Sequence, residues 1–122
     1  MEERARKCAL VVEDDPGVRS LLQHALEQMG FEVTCAGAKE EALKFWEEKE
    51  YSILITDLVL GPSGGDELIR AIRRKGAKVP ILAVTGFGQE VAQEALDAGA
   101  DYIIRKPFHL LELREILEGF AS

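Results

Sequence analysis

The sequence predicts an α/β fold: a doubly wound, three-layer (βα)5 sandwich built on a parallel five-stranded sheet of strand order 2-1-3-4-5. Three observations carry this. Apolar spacing alternates between strand and helix periods five times across 122 residues, with no repeat, low-complexity tract or linker between. Strands that alternate with helices close by right-handed crossovers, which place helices on both faces of the sheet. Finally, the apolar runs at 8–12, 52–56, 79–84 and 102–104 each stop on a charged or hydroxylated residue. In open α/β sheets that is how the carboxyl edge, where ligands gather, is composed.

The elements follow in order. Residues 8–12 form the first strand, and Asp15 caps a helix that begins at Pro16 and carries Val18, Leu21, Leu22, Ala25, Leu26 and Met29 on one face until Gly30. Residues 31–35 alternate as a strand, and residues 38–49 return to helical spacing through Ala42, Leu43 and Trp46 with Glu and Lys outward. The continuous apolar run 52–56 reads as a strand covered on both faces. Gly61-Pro-Ser-Gly-Gly65 breaks the chain, and Asp66 opens a helix carrying Leu68, Ile69 and Ile72. A fourth strand at 79–84, a helix through Val91, Ala92, Ala95 and Leu96 to Gly99, a short strand at 101–104 and a last helix through Leu110, Leu113, Ile116, Leu117 and Phe120 complete the pattern.

Composition bounds the function. Hydrophobic residues make up 47% and charged residues 30%, the balance of an ordinary globule. The length suits one domain over 1–122, with 1–7 as an N-terminal tail and no output domain after the last helix. No apolar run is long enough to span a bilayer and the mixed-charge N-terminus is not a secretory signal, so the expected partners exclude membranes and the expected location is cytoplasmic. Twenty-two acids against fifteen bases give a formal charge of −7, which opposes direct nucleic-acid binding. Cys8 and Cys35 lack any metal-ligand or redox spacing and are expected to be buried, reduced thiols.

With the first and third strands side by side, Glu13, Asp14 and Asp57 crowd at one edge. Like charges at that range raise one another's pKa and destabilise the fold unless a cation intervenes. Oxygen ligands at a partly solvated edge suit Mg²⁺ (or Mn²⁺), which keeps several waters and takes one or two carboxylates. Lys106, before Pro107, can reach the same edge as a point-charge partner for phosphate. Thr85, backed by Gly86, offers a hydroxyl and an uncrowded N–H to a phosphoryl oxygen.

These residues resemble the receiver domains of two-component response regulators, flavodoxin-like proteins akin to the chemotaxis regulators. Val-Val-Glu-Asp-Asp-Pro at 11–16, Ile-Thr-Asp-Leu at 55–58, Val-Thr-Gly at 84–86 and Lys-Pro-Phe at 106–108 stand in order at matching spacings, and the likeness covers residues 8–120. The resemblance implies that Asp57 is the phosphoacceptor and that Asp14 and Asp57 are direct Mg²⁺ ligands. It further implies that Glu13 acts through water and that the Val59 backbone carbonyl completes the protein's share. By the same resemblance Thr85 is the switch hydroxyl, Lys106 the conserved-type lysine, and Lys106-Pro107 a cis peptide.

A sensor histidine kinase or histidine phosphotransfer protein would be the phosphodonor, with an acyl phosphate as a small-molecule substitute. Movement of Thr85, Gly86 and Phe87 would switch the face formed by the fourth helix, fifth strand and fifth helix toward a downstream target or an output domain. Phosphorylation-dependent homodimerisation belongs to the same expectation.

Three departures from the family pattern stand out. Glu13 replaces the commoner Asp, and Gly61 stands where Pro is usual, implying a looser loop. Ile103, with Tyr102 beside it, occupies the position of the usual rotating aromatic and alters its coupling to Thr85. Val59 and Phe87, both apolar, flank the family's hydrolytic water path, so self-dephosphorylation is expected to be slow.

Two other readings compete. One is a receiver-like interaction module that is never phosphorylated, which loss of Asp57 or Lys106 would have favoured. The other is a serine hydrolase, because Gly61-Pro-Ser-Gly-Gly65 matches G-x-S-x-G with Asp101 and His109 downstream. Ser63 lies six residues beyond Asp57, too far from the strand end for a nucleophile elbow.

Overall fold

The computed structural model describes residues 7–60, 63–86 and 89–121. Five strands, β1 (Cys8–Val12), β2 (Glu32–Ala36), β3 (Ile53–Asp57), β4 (Ile81–Thr85) and β5 (Tyr102–Arg105), form one parallel sheet in the order β2-β1-β3-β4-β5. Helices α1 (Pro16–Gln28), α2 (Lys39–Trp46), α3 (Gly65–Arg74), α4 (Gln89–Ala98) and α5 (Leu110–Ala121) follow the strands in turn. The doubly wound (βα)5 sandwich expected from the sequence is the architecture found. A two-residue antiparallel ladder, not expected from the residue pattern, joins Val59–Leu60 to Ser63–Gly64 between β3 and α3.

Side-chain alternation along the strands divides the core in two. Leu10, Leu54, Ile81 and Ala83 pack under α2, α3 and α4 with Ala42, Leu68, Ile69, Ile72 and Ala95. Val11, Ile53, Ile55, Leu82 and Val84 pack under α1 and α5 with Leu22, Leu26, Leu113 and Leu117. Each such side chain, fully withdrawn from water, contributes about 1.5–3 kcal/mol before conformational entropy is charged against it.

Several boundaries differ from the sequence reading, for one physical reason. Strand pairing is made by the backbone, so β3 and β4 continue one residue past their apolar runs and end on Asp57 and Thr85 themselves. At its start β4 loses two residues, because Pro80 has no N–H for the ladder. Leu21 is 37% exposed, since the apolar stripe of α1 is wider than the sheet can cover. Cys8 and Cys35 are reduced thiols, half-buried rather than buried: β1 and β2 lie at one side of the sheet, and Cys35 Sγ lies 3.6 Å from Gln23 Oε1. Asp15 caps α1 as expected, accepting from the N–H groups of Gly17 and Val18 at 2.8 and 3.3 Å.

At the amino edge of the sheet Arg73 fastens two loops. Its guanidinium donates to Gly99 O from Nε and Nη2 (3.0 and 2.8 Å), to Ala77 O and Val79 O from Nη1 (3.1 and 2.8 Å), and to Asp101 Oδ2 at 2.9 Å. The same Asp101 oxygen accepts the Ile81 N–H at 2.9 Å. Gly99, at φ +122°, is obligatory on two counts: the backbone is left-handed, and a Cβ there would lie 2.8 Å from Arg73 Cγ.

Candidate phosphoryl-acceptor and cation site

The alternation that turns Val11 and Ile55 toward α1 and α5 continues to Glu13 and Asp57, so their carboxylates leave the sheet on one side. Glu13 prolongs the β1 pairing with an N–H bond to Ala36 O at 2.9 Å, and Arg19 on α1 holds its carbonyl from Nη1 at 3.0 Å. Asp14, next in the chain, is exposed. Carboxylate oxygens of Glu13, Asp14 and Asp57 all lie within 4.8 Å of one another. Asp15, fourth in the acidic run, is diverted to the helix cap.

Asp57 is 6% exposed and bonded on both oxygens: Oδ1 accepts the Val59 N–H at 3.0 Å and Oδ2 accepts Lys106 Nζ at 2.8 Å. Its backbone carbonyl takes the Thr56 hydroxyl at 2.9 Å. Gly65 packs directly over that carbonyl, where a Cβ would collide with the Asp57 oxygen, and its N–H bonds Leu58 O at 2.9 Å. Gly65 therefore sets the spacing between acceptor strand and α3, a role hidden in what reads as a loop break.

Lys106 follows β5, with its N–H on Thr85 O at 2.8 Å and the Lys106-Pro107 peptide cis. Its ammonium also lies 3.1 Å from Glu13 Oε1. Burial works against that charge, but the hydrogen bond to Asp57 and the nearby Glu13 carboxylate outweigh it and hold the lysine pKa above its usual value.

Glu13 differs from expectation. The sequence suggests a partly solvated edge, yet this side chain has no exposed surface. Its pKa is raised from 4.5 to about 7, first by desolvation, against the lowering effects of the Asp15 N–H and Lys106, with Asp57 adding a smaller upward push. Burial, rather than the like-charge crowding expected from sequence, is the main cause. Oε2 accepts the Asp15 N–H at 3.1 Å, whereas Oε1 receives no hydrogen bond, the ammonium being near it but not aligned as a donor.

An orphaned, buried carboxylate oxygen beside two more carboxylates, with one ammonium to oppose three acids, fits Mg²⁺ or Mn²⁺ with part of its water shell. The cluster is a magnesium site of the receiver-domain kind.

The remaining predicted residues are placed as follows. Thr85 is fully buried at the end of β4, beside Lys106 through the backbone bond, and Gly86 is exposed just beyond it. Val59 is 40% exposed at the mouth of the site. Tyr102 is half exposed on β5, and Ile103 is half-buried against the cluster under α2, α3 and α4. Phe87, Gly61 and the Ser63 side chain lie outside the described residues. Asp101, the acid required by the hydrolase reading, is bound to Arg73 at the opposite edge of the sheet. Sequence reasoning missed Gly65 and Arg19: the first bears no side chain, and the second acts on a backbone carbonyl.

Comparison with known proteins agrees with this geometry. The family model described as the response regulator receiver domain matches residues 9–118. An uncharacterized 14.6 kDa protein of Leptolyngbya boryana is 35% identical over 124 residues, covering 99% of this chain and 95% of its own. The response regulator protein PilR of Pseudomonas aeruginosa is 31% identical over 114 residues, and the match spans 93% of this chain but 26% of PilR. Among solved structures, the chemotaxis response regulator CheY4 of Vibrio cholerae superposes with a TM-score of 0.88 at 28% identity, covering 95% of this chain and 99% of that one. The non-phosphorylated HemR receiver domain of Leptospira biflexa does so at 0.87 and 31% identity, covering 96% and 95%.

Proposed function

The chain belongs to the response regulator receiver domain family, and from that premise we propose that Asp57 is its phosphoacceptor, served by Lys106, Thr85 and a cation held by Glu13, Asp14, Asp57 and the Val59 carbonyl. Receiver domains work in two-component signalling with a histidine kinase or phosphotransfer protein, and their only catalysis is their own phosphorylation and dephosphorylation. The observation that carries the assignment is the Asp57 carboxylate, nearly buried yet gripped by one main-chain N–H and one ammonium, beside two further acids.

In the reaction an Asp57 oxygen attacks the phosphorus of a phosphohistidine or acyl phosphate. An O–P bond forms, the P–N or P–O bond to the donor breaks, and the imidazole or carboxylate departs with its electron pair. Lys106 gives up its bond to Asp57 Oδ2 and turns to the incoming phosphoryl oxygens. Val59 N–H keeps the other carboxylate oxygen oriented. When bound, Mg²⁺ neutralises charge on the phosphoryl oxygens and the acids together.

The product adds about −1.5 to −2 charges to an acidic edge. Thr85 and Gly86 answer that charge and carry the change to the α4–β5–α5 face, which receives a target, an output domain or a second copy. The apolar residues at the two positions that flank the water path in receiver domains, Val59 and Phe87, keep the phosphoryl group on Asp57 for long periods.

Incubation with Mg²⁺ and acetyl phosphate, followed by intact-mass measurement, tests the assignment. One phosphoryl adduct in the native chain and none in Asp57→Asn is expected; an adduct that persists in the variant removes Asp57 from the role.

A further inference from the structure

We infer that the groove between α3 and α4 is a docking surface for an acidic peptide segment of a partner protein, seated on Arg70 and Arg74. The chain carries a formal charge of −7, and this groove is an exception to it. It is a cleft of about 500 Å³ lined by Arg70, Arg73, Arg74 and Ala98.

The three arginines have different jobs. Arg73 is spent on the structure, with carbonyl and carboxylate acceptors at Nε, Nη1 and Nη2 and its charge matched by Asp101. It makes a rigid floor. Arg70 and Arg74 are exposed, and among the described residues neither forms an ion pair. Of the acids nearby, Glu67 pairs with Lys39 at 3.4 Å and Glu47 with Lys75 at 2.7 Å, while Asp97 accepts from Gln93 at 3.0 Å and keeps its charge.

Arg74 Nε reaches back to Arg70 O at 3.4 Å, which holds its guanidinium over the turn that carries Arg70. Like charges at i and i+4 on a helix are unfavourable. Cations in the last turn complement the helix dipole, which accounts for Arg74 but not for Arg70, a full turn earlier. Two planar cations lining one cleft over a fixed floor offer sites for a pair of carboxylates, each able to take a bidentate bond. A long polyanion would be repelled by the acidic remainder of the surface, whereas a short acidic segment need touch only the groove. With so few anchors the contact is of the weak, transient class.

The test uses the full chain, isotopically labelled, titrated with a capped hexaglutamate peptide at low ionic strength and followed by backbone amide shifts. Shifts confined to residues 70–75 and 97–99 are expected, with affinity at least about tenfold weaker in Arg70→Glu/Arg74→Glu and about three- to fivefold weaker in Arg70→Lys/Arg74→Lys, which keeps the charge but not the bidentate fork. Asp57→Asn should bind the peptide as the native chain does, which separates this surface from the acceptor site. Four results overturn the proposal: no binding, shifts centred elsewhere, undiminished binding by the charge-reversed variant, or equal binding of a thymidine oligonucleotide of the same charge. Sedimentation run alongside would overturn it equally if the charge reversal abolished self-association rather than peptide binding.

Discussion

The two edges of the sheet use the same kinds of residue to opposite ends. At the amino edge Arg73 and Asp101 meet at 2.9 Å, and their remaining valences go to the Gly99, Ala77 and Val79 carbonyls and the Ile81 N–H. At the carboxyl edge Lys106 meets Asp57 at 2.8 Å and Glu13 at 3.1 Å, and three acids share that one cation while Glu13 Oε1 goes unbonded. The first arrangement is closed and serves stability. The second leaves electrostatic demand unmet, and a ligand is what meets it. Burial alone does not make an ion pair functional; an incomplete set of partners does.

The largest effect should come from removing the acceptor. Asp57→Asn is expected to abolish the phosphoryl adduct while leaving the fold intact, and retained labelling by intact mass would erase the distinction between the edges.

At the other edge Arg73→Ala strands three backbone carbonyls and Asp101, and should cost about 3–4 kcal/mol of unfolding free energy. Urea titration would measure it, with labelling by acetyl phosphate unchanged under native conditions. Gly65→Ala tests the spacing between them, since its Cβ falls on the Asp57 carbonyl. A loss of about 2–3 kcal/mol is expected, together with slower labelling.

Stability should also depend on pH through Glu13. Its folded pKa, about 7, lies above the ordinary 4.5, so the folded state keeps its proton where the unfolded state has lost it. The corresponding stability is full below pH 4.5 and is lost as pH rises to about 7, on the order of 3 kcal/mol without Mg²⁺. Glu13→Gln should flatten that slope, and Mg²⁺ should oppose it by favouring the ionised carboxylate. A slope unchanged by Glu13→Gln would place the titration elsewhere. As a baseline belonging to neither edge, Glu67→Gln breaks a surface pair with Lys39 and should shift stability by less than about 0.5 kcal/mol in the same urea titration.

The sequence made the sheet legible because parallel strands buried on both faces read as unbroken apolar runs, and a charged or hydroxylated residue after four of the runs marks the edge that they reach. Asp57, Glu13, Asp14 and Lys106 could therefore be assembled before any coordinates. Residues acting through the backbone were illegible. Arg73 and Arg19 look like solvated helix positions, because their acceptors are carbonyls, and every residue has one. Gly65 reads as a loop break because its function is to have no side chain. The position of Glu13 is legible in the sequence, but its complete burial is not.

One guanidinium holds carbonyls from two loops, the stretch around 77–79 and the turn at 99. Neither loop can change length alone, since an added residue in one would carry its carbonyl away from an anchor that the other still requires. The two turns are thus tied in evolutionary variation as well as in space, and insertions that the outer surface would tolerate should be found elsewhere in the chain.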